Sequence, residues 1–282
     1  MSLPNFLVLG PPRTGTTWLF RCIYHHPQIY VPEVKEIHYF DERYGRGVEW
    51  YRSFFRNVPD SAIATGDLTP SYCAHLEAPA RVRETLGDRI KLFVVFRDPV
   101  ERAFSEYRMK RGAGRLRGSF LEALQTDRAL VENSLYAKNL QRFRDYFADD
   151  RLYLLSYRLL NENPLRYISE FLGALGVGIE YRQEVLQQRI NEGLSEVRLR
   201  RLYKVSTYLR MVTETVPLGR RLIWAFRERG FVRWWHSYAS QESPMGCTQA
   251  ERAVAHSYFA DDLARLNSSK CIQFLGDDLS LQ

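Results

Sequence analysis

The stretch Gly10-Pro11-Pro12-Arg13-Thr14-Gly15-Thr16-Thr17 decides how the rest of the chain is read. It follows an apolar run, Asn5–Gly10 (NFLVLG), and leads into a helical pattern over Thr16–His25. A glycine-framed loop between strand and helix turns successive backbone N–H groups toward one point, where the helix dipole adds partial positive charge. The frame is G-x-x-x-x-G followed by two hydroxyl residues, the spacing of a phosphate loop with Thr16 in place of the usual lysine. An anionic phosphate or sulfate fits against Thr14, Gly15, Thr16 and Thr17, with Arg13 supplying fixed positive charge. The bland alternative is a glycine turn capped by Thr14. Without the lysine, the contact that a P-loop NTPase makes to the outer phosphates is lacking.

Working outward, three more apolar runs read as strands: Ala62–Gly66, Lys91–Phe96 and Leu152–Ser156. Each is uninterrupted rather than alternating, as expected of strands buried on both faces. Helical patterns lie at Ala78–Leu86, Pro99–Arg111, Ser134–Phe147 and Pro164–Leu175. Such alternation predicts an α/β fold: a P-loop-like three-layer core, its central parallel sheet flanked by helices. After about residue 180 no strand is expected, and the chain reads as a helical C-terminal part. Thr248 with Glu251 predicts a capping box that opens one amphipathic helix over Thr248–Leu266. With no internal repeat or linker, residues 1–282 read as one domain, an α/β core to about 180 and a helical cap beyond.

Composition narrows the class. Hydrophobic residues at 45% and charged residues at 26% exclude a disordered chain. Four cysteines without ligand spacing read as reduced thiols rather than a disulfide framework or zinc site. Forty basic against 33 acidic side chains leave +7, which suggests an anionic partner. Met1 to Leu3 lack the features of a signal peptide and no run approaches a membrane span, so a cytoplasmic location is the expectation.

A second anion clamp is predicted at Phe96-Arg97-Asp98-Pro99, followed by Ser105. Arg97 falls at the carboxyl end of a central strand, where ligands bind in open α/β sheets. Pro99 suits a first helical turn, which places Ser105 roughly two turns in. An Arg fork and a Ser hydroxyl can hold a second phosphate. Alone, Arg97 reads more readily as a surface ion pair; it is the first loop beside it that favours the clamp.

Together these motifs resemble the sulfotransferases that use 3′-phosphoadenosine 5′-phosphosulfate (PAPS). Gly10–Trp18 is similar to their 5′-phosphosulfate loop, and Phe96–Ser105 to their 3′-phosphate site. Val34–Asp41 (VKEIHYFD), Gly47–Tyr51 (GVEWY), Leu68–Tyr72 (LTPSY) and Ala78–Arg81 (APAR) bring the likeness closest to heparan sulfate N- and 3-O-sulfotransferase-type domains.

The resemblance implies PAPS as cofactor, released as 3′,5′-bisphosphoadenosine, with no metal required. It implies Arg13 at the transferred group and Glu36 as general base, with His38 as the competing base or an orienting group. A pair between Glu36 and Lys35 or Arg43 is the bland reading. Trp18 reads either as an adenosine contact or as core. Leu68 stands where such enzymes commonly carry a lysine, which disfavours heparan sulfate itself as acceptor. Arg198, within Arg189–Arg201, is the candidate phosphate contact of a late loop, or else part of a solvated basic face. The basic aromatic stretch 209–238 reads as a lid over a lipid or hydrophobic acceptor, a nucleic-acid contact or a helical cap.

The leading expectation is sulfuryl transfer from PAPS to a hydroxyl or an amine of a small molecule, glycolipid or saccharide, with no nucleic-acid partner. The alternatives are an ATP-dependent P-loop kinase and a non-catalytic nucleotide or nucleic-acid binder.

Overall fold

A computed structural model of the chain describes residues 3–179, 246–268 and 273–275. Its strands are β1 (Phe6–Gly10), β2 (Ile29–Tyr30), β3 (Ala64–Leu68), β4 (Lys91–Phe96), β5 (Leu152–Ser156) and β6 (Gln273–Leu275). They form one sheet in the order β2-β3-β1-β4-β5-β6, and every pairing is parallel. The uninterrupted apolar runs serve two faces. Leu7, Leu9, Leu92, Val94 and Phe96 enter one core, and Phe6, Val8, Phe93 and Val95 enter the other.

Helices complete the outer layers. α1 (Thr16–Ile23) lies on the face of Phe6 and Val8. α2 (Val48–Arg52), α3 (Ala78–Leu86) and, after α4 (Pro99–Gly112), α5 (Phe120–Thr126) and α6 (Arg128–Glu132), α7 (Tyr136–Arg144) follow. α2, α3 and α7 contribute Tyr51, Val82 and Leu140 to the opposite core. α8 (Tyr157–Glu162) and α9 (Pro164–Leu175) return to the α1 face through Leu160, Ile168 and Phe171. α1 has eight residues and no side-chain cap, too short to persist alone. Six of its side chains are buried, so packing holds it, at about 1.5–3 kcal/mol for each large apolar one. Among the described residues, no side chain caps its first-turn N–H groups.

Two expectations need correction. The region after residue 180 does contain a strand: Gln273–Leu275 pairs with β5. Three residues are too few to show periodicity, and pairing supplies what the local sequence does not. The segment Thr248–Leu266 is two helices, α10 (Gln249–His256) and α11 (Ala260–Ser268), although the Thr248–Glu251 capping box forms as expected. The break between them lets Ala255 and Phe259 enter the core around α4 and α5. It also brings Asp262 to the Ala137 and Lys138 N–H groups, both at 2.9 Å, capping α7 where Leu135 offers no side-chain cap. β3 runs two residues further than expected because it passes through buried Asp67, a carboxylate that hydropathy alone reads as a stop.

Candidate active site

The chain leaves β1 toward β3 and β2, then crosses to β4 and β5 on the other side. The order reverses between β1 and β4, and their carboxyl ends open the crevice where such sheets bind ligands. The Gly10–Thr17 loop emerges at one side of it and Arg97 at the other.

Three residues of the loop have left-handed backbone: Gly10, Arg13 and Gly15, with φ of 99°, 73° and 81°. At Gly10 a side chain is excluded outright, since a Cβ there would stand 2.3 Å from the Pro70 carbonyl oxygen. Gly15 is the N-cap of α1, and Thr14 Oγ1 donates back to the Pro11 carbonyl at 2.7 Å. Thr14 thus ties the loop to itself and does not cap the helix, so the capped-turn alternative does not describe it. Thr16 is buried and Thr17 half-buried.

Arg13 and Arg97 lock this loop from two directions. Arg97 Nη1 donates to the Arg13 carbonyl at 2.9 Å, and Arg13 Nε donates to Ser105 Oγ at 3.1 Å. The Arg97 guanidinium lies 4.5 Å over the Tyr157 ring, and its backbone N–H donates to Tyr136 Oη at 3.1 Å. Its buried Nε has no hydrogen-bond partner among the described residues; Glu101 Oε2, at 3.8 Å, is out of reach. Burial, and then the neighbouring Arg97 guanidinium, push Arg13 below its ordinary value. Two close guanidiniums and an orphaned buried N–H form a surround that an anion would relieve. Beneath them, fully buried Arg102 is paired with Glu106 and donates to the Leu130 carbonyl at 2.7 Å, so its charge is already compensated.

The segment Val34–Asp41 supplies the acid–base candidates. Lys35 pairs with Glu36, as the bland reading expected, while Arg43 donates to the Ile37 carbonyl at 2.9 Å. Glu36 and His38 are not in extended backbone: their φ values are 66° and 58°. They converge all the same, with His38 Nε2 4.0 Å from Glu36 Oε2. The other ring nitrogen, Nδ1, lies 3.0 Å from Asp41 Oδ2 and 3.2 Å from Ser71 Oγ. Burial lowers the His38 pKa, but the Asp41 hydrogen bond and the surrounding carboxylates outweigh it and the net shift is upward. Burial would raise Asp41, yet hydrogen bonds from His38 and Ser71 hold it below the ordinary range.

The two halves meet at Pro70-Ser71. Pro70 packs on Gly10 of the loop, and Ser71 contacts His38 and Asp41. The chain belongs to the sulfotransferase domain family. The family model matches residues 3–244. The chain is 30% identical over 203 residues to bifunctional heparan sulfate N-deacetylase/N-sulfotransferase 4 of Mus musculus, covering 64% of this chain and 23% of that protein. It is 31% identical over 184 residues to heparan sulfate glucosamine 3-O-sulfotransferase 3A1 of Mus musculus, covering 61% and 46%. It therefore spans less than half the length of either relative. A sulfotransferase structure from Alicyclobacillus acidocaldarius shares the fold with a TM-score of 0.59 and 21% identity, over 78% of this chain and 93% of that one.

Within the sulfotransferase domain, Arg13 of the Gly10–Thr17 loop contacts both Arg97 and Ser105, while Glu36 and His38 lie beside Ser71, next to the Pro70 that packs on Gly10. Trp18 packs in the core: it is 6% exposed and its ring stands edge-on to Tyr167 at 5.9 Å. The Leu68 side chain is also in the core, 2% exposed. Arg198 and the stretch 209–238 lie outside the described residues. Tyr157, under Arg97, was missed, although it directly follows β5, where a strand's carboxyl end is informative. Ser71 and Asp41 carry no local signal of a role, because their contact joins segments 30 residues apart.

Proposed function

We propose that this domain transfers the sulfuryl group of PAPS to a hydroxyl or an amine of an acceptor. The observation that supports it best is the buried Arg97 Nε, which has no hydrogen-bond partner among the described residues, beside Arg13 and the start of α1, uncapped by any of them. When bound, PAPS supplies a sulfuryl group that gains a bond to the acceptor atom and loses its bond to the 5′-phosphate oxygen, releasing 3′,5′-bisphosphoadenosine.

The residues fit the two ends of that molecule. The Gly10–Thr17 amides, the Thr16 and Thr17 hydroxyls and Arg13 would hold the 5′ end, and Arg97 with Ser105 the 3′-phosphate. Arg13 and the loop amides are preorganised donors for charge that builds on the bridging oxygen. Glu36 would accept the acceptor's proton, with Lys35 paired to it and His38 the neighbouring alternative. The acceptor class we favour is a small molecule, glycolipid or saccharide that needs less positive charge than heparan sulfate, since Leu68 brings none.

The test is calorimetric titration with 3′,5′-bisphosphoadenosine and, separately, with ATP and magnesium. Preferential binding of the bisphosphate, lost in Arg97→Ala, is expected. Preference for magnesium ATP would overturn the reading in favour of a kinase.

A further inference from the structure

The turn that carries Glu36 and His38 is costly to hold. Two non-glycine residues with φ near 60° within three positions each sit in a sparsely populated region, at about 1–3 kcal/mol apiece. Such a conformation persists only where its surroundings over-determine it. Several contacts do so. The Arg43 N–H donates to the His38 carbonyl at 2.9 Å, and Arg81 donates to the Phe40 and Asp41 carbonyls at 2.9 and 2.8 Å.

One contact is of a different kind. The Tyr39 N–H, directly after His38, donates to Tyr72 Oη at 2.8 Å, deep in the protein. Tyr72 in turn donates to Asp67 Oδ2 at 3.0 Å. Tyr51 Oη donates to the same oxygen at 3.1 Å, and Thr69 Oγ1 to Oδ1 at 2.7 Å. Asp67 is 2% exposed, so this is a buried carboxylate served by three hydroxyl donors. An ionised carboxylate only accepts. The Tyr72 proton is thereby committed to Asp67, and a lone pair of its oxygen is left facing the Tyr39 N–H. A hydroxyl without Asp67 could turn its proton toward that N–H and repel it. The rings reinforce the arrangement: Tyr39 stacks on Tyr51 at 4.4 Å, and Phe40 meets Tyr72 edge-on at 5.3 Å.

We propose that Tyr72, oriented by the buried Asp67 carboxylate, is the positioning residue that pins the Glu36–His38 turn in its reactive conformation. Among the described residues, the hydrogen bonds of Tyr72 and Asp67 run to Tyr39, Tyr51 and Thr69 and to each other, not to the proposed nucleotide-binding groups. The catalytic sense of the pin rests on the sulfotransferase reading above, but the pin itself is measurable without cofactor.

The experiment compares Tyr72→Phe with Tyr51→Phe, which removes a donor to the same carboxylate while leaving the Tyr39 contact intact. Three quantities are read by NMR and calorimetry: exchange of the Tyr39 amide, the titration midpoint of the His38 ring, and affinity for 3′,5′-bisphosphoadenosine. Tyr72→Phe is expected to speed Tyr39 exchange at least tenfold. It should also move the His38 midpoint downward as the ring loses Asp41; the other charged groups facing the ring are Glu36, Glu42 and Asp67. Bisphosphate affinity should stay within twofold, and Tyr51→Phe should leave all three near wild type. A folded Tyr72→Phe protein with wild-type Tyr39 exchange and His38 midpoint overturns the pin. Should Tyr72→Phe fail to fold, Asp67→Asn is read on Tyr39 exchange alone, since loss of the Asp67 charge lowers the His38 midpoint by itself. A smaller change of the same sign is expected there, because an amide oxygen still accepts from both phenols; no change overturns the proposal. A wild-type protein that binds no bisphosphate overturns the functional reading alone, since exchange and His38 titration do not depend on it.

Discussion

Arg97 donates to the Arg13 carbonyl at 2.9 Å while the Arg13 side chain reaches Ser105 at 3.1 Å, so the two proposed anion clamps form one mechanical unit. The strand end supplies Arg97, the loop Arg13 and the following helix Ser105. Left-handed backbone at Arg13 aims its carbonyl at Arg97 and its guanidinium at α4. Neither clamp can shift without moving the other.

Replacing Arg97 should therefore cost more than one phosphate contact. A hydrogen bond to a charged group contributes about 1.5–3 kcal/mol, a neutral one about 1 kcal/mol. Arg97→Ala is expected to weaken 3′,5′-bisphosphoadenosine binding by about 10- to 100-fold, and Ser105→Ala by about fivefold. Isothermal titration at fixed ionic strength measures both. An unchanged dissociation constant in Arg97→Ala would remove it from the 3′-phosphate site.

Glu36 separates binding from chemistry. Glu36→Gln keeps the side chain's size but cannot accept a proton. Bisphosphate affinity should hold within twofold, while turnover of PAPS with any accepted substrate should fall by about 10²- to 10⁴-fold. Wild-type turnover in Glu36→Gln, with His38→Gln inactive, would move the base to His38.

The sheet was legible because parallel strands buried on both faces advertise themselves as unbroken apolar runs, as β1 and β4 do. The loop was legible because its glycines and hydroxyls are adjacent in sequence. What could not be read was assembled across the fold. Ser71 meets Asp41 over 30 residues, and Asp67 meets Tyr51 over 16. Nor does periodicity reveal a three-residue strand such as β6, which exists because β5 offers an edge. The packing of Trp18 against Tyr167 of α9 was likewise beyond the local sequence.

Close packing around the loop gives a stability prediction. A Cβ at Gly15 would come 2.5 Å from Leu160 Cδ2 and 3.3 Å from the Tyr157 ring, with φ at 81°. Leu160 can turn aside, but the backbone strain and the push on Tyr157 remain. Gly15→Ala is expected to lower stability by about 1–3 kcal/mol and to weaken bisphosphate binding as Tyr157 moves under Arg97. Gly66→Ala is the control away from the site: its Cβ would meet the buried Phe6 ring at 2.0 Å. It should lose stability comparably, yet bind the bisphosphate normally once folded. Urea midpoints and titration of the same samples decide the matter. Normal binding in a folded Gly15→Ala protein would show that Tyr157 does not matter to the clamp.

Asp67 should leave a signature in the pH dependence of stability. Burial pushes its carboxyl up to about 6, against the hydrogen bonds from Thr69, Tyr72 and Tyr51 that favour the charged form. A folded-state value above the unfolded one of about 3.9 means that the folded protein holds this proton more tightly. Its contribution is then full below about pH 4 and is lost as the pH rises through about 6, a change of up to about 3 kcal/mol. Asp41 and Glu106 act in the opposite sense: both are held low, so their stabilisation is lost on acidification. The wild-type curve alone mixes these terms, but the difference between wild type and Asp67→Asn isolates the one that changes. Urea midpoints of both proteins at half-unit steps from pH 4 to pH 8 should show wild type losing ground to the variant between pH 4 and pH 6, then a constant gap. A gap constant over the whole range would mean that Asp67 titrates as an ordinary carboxylate, its three hydroxyl donors having cancelled the effect of burial.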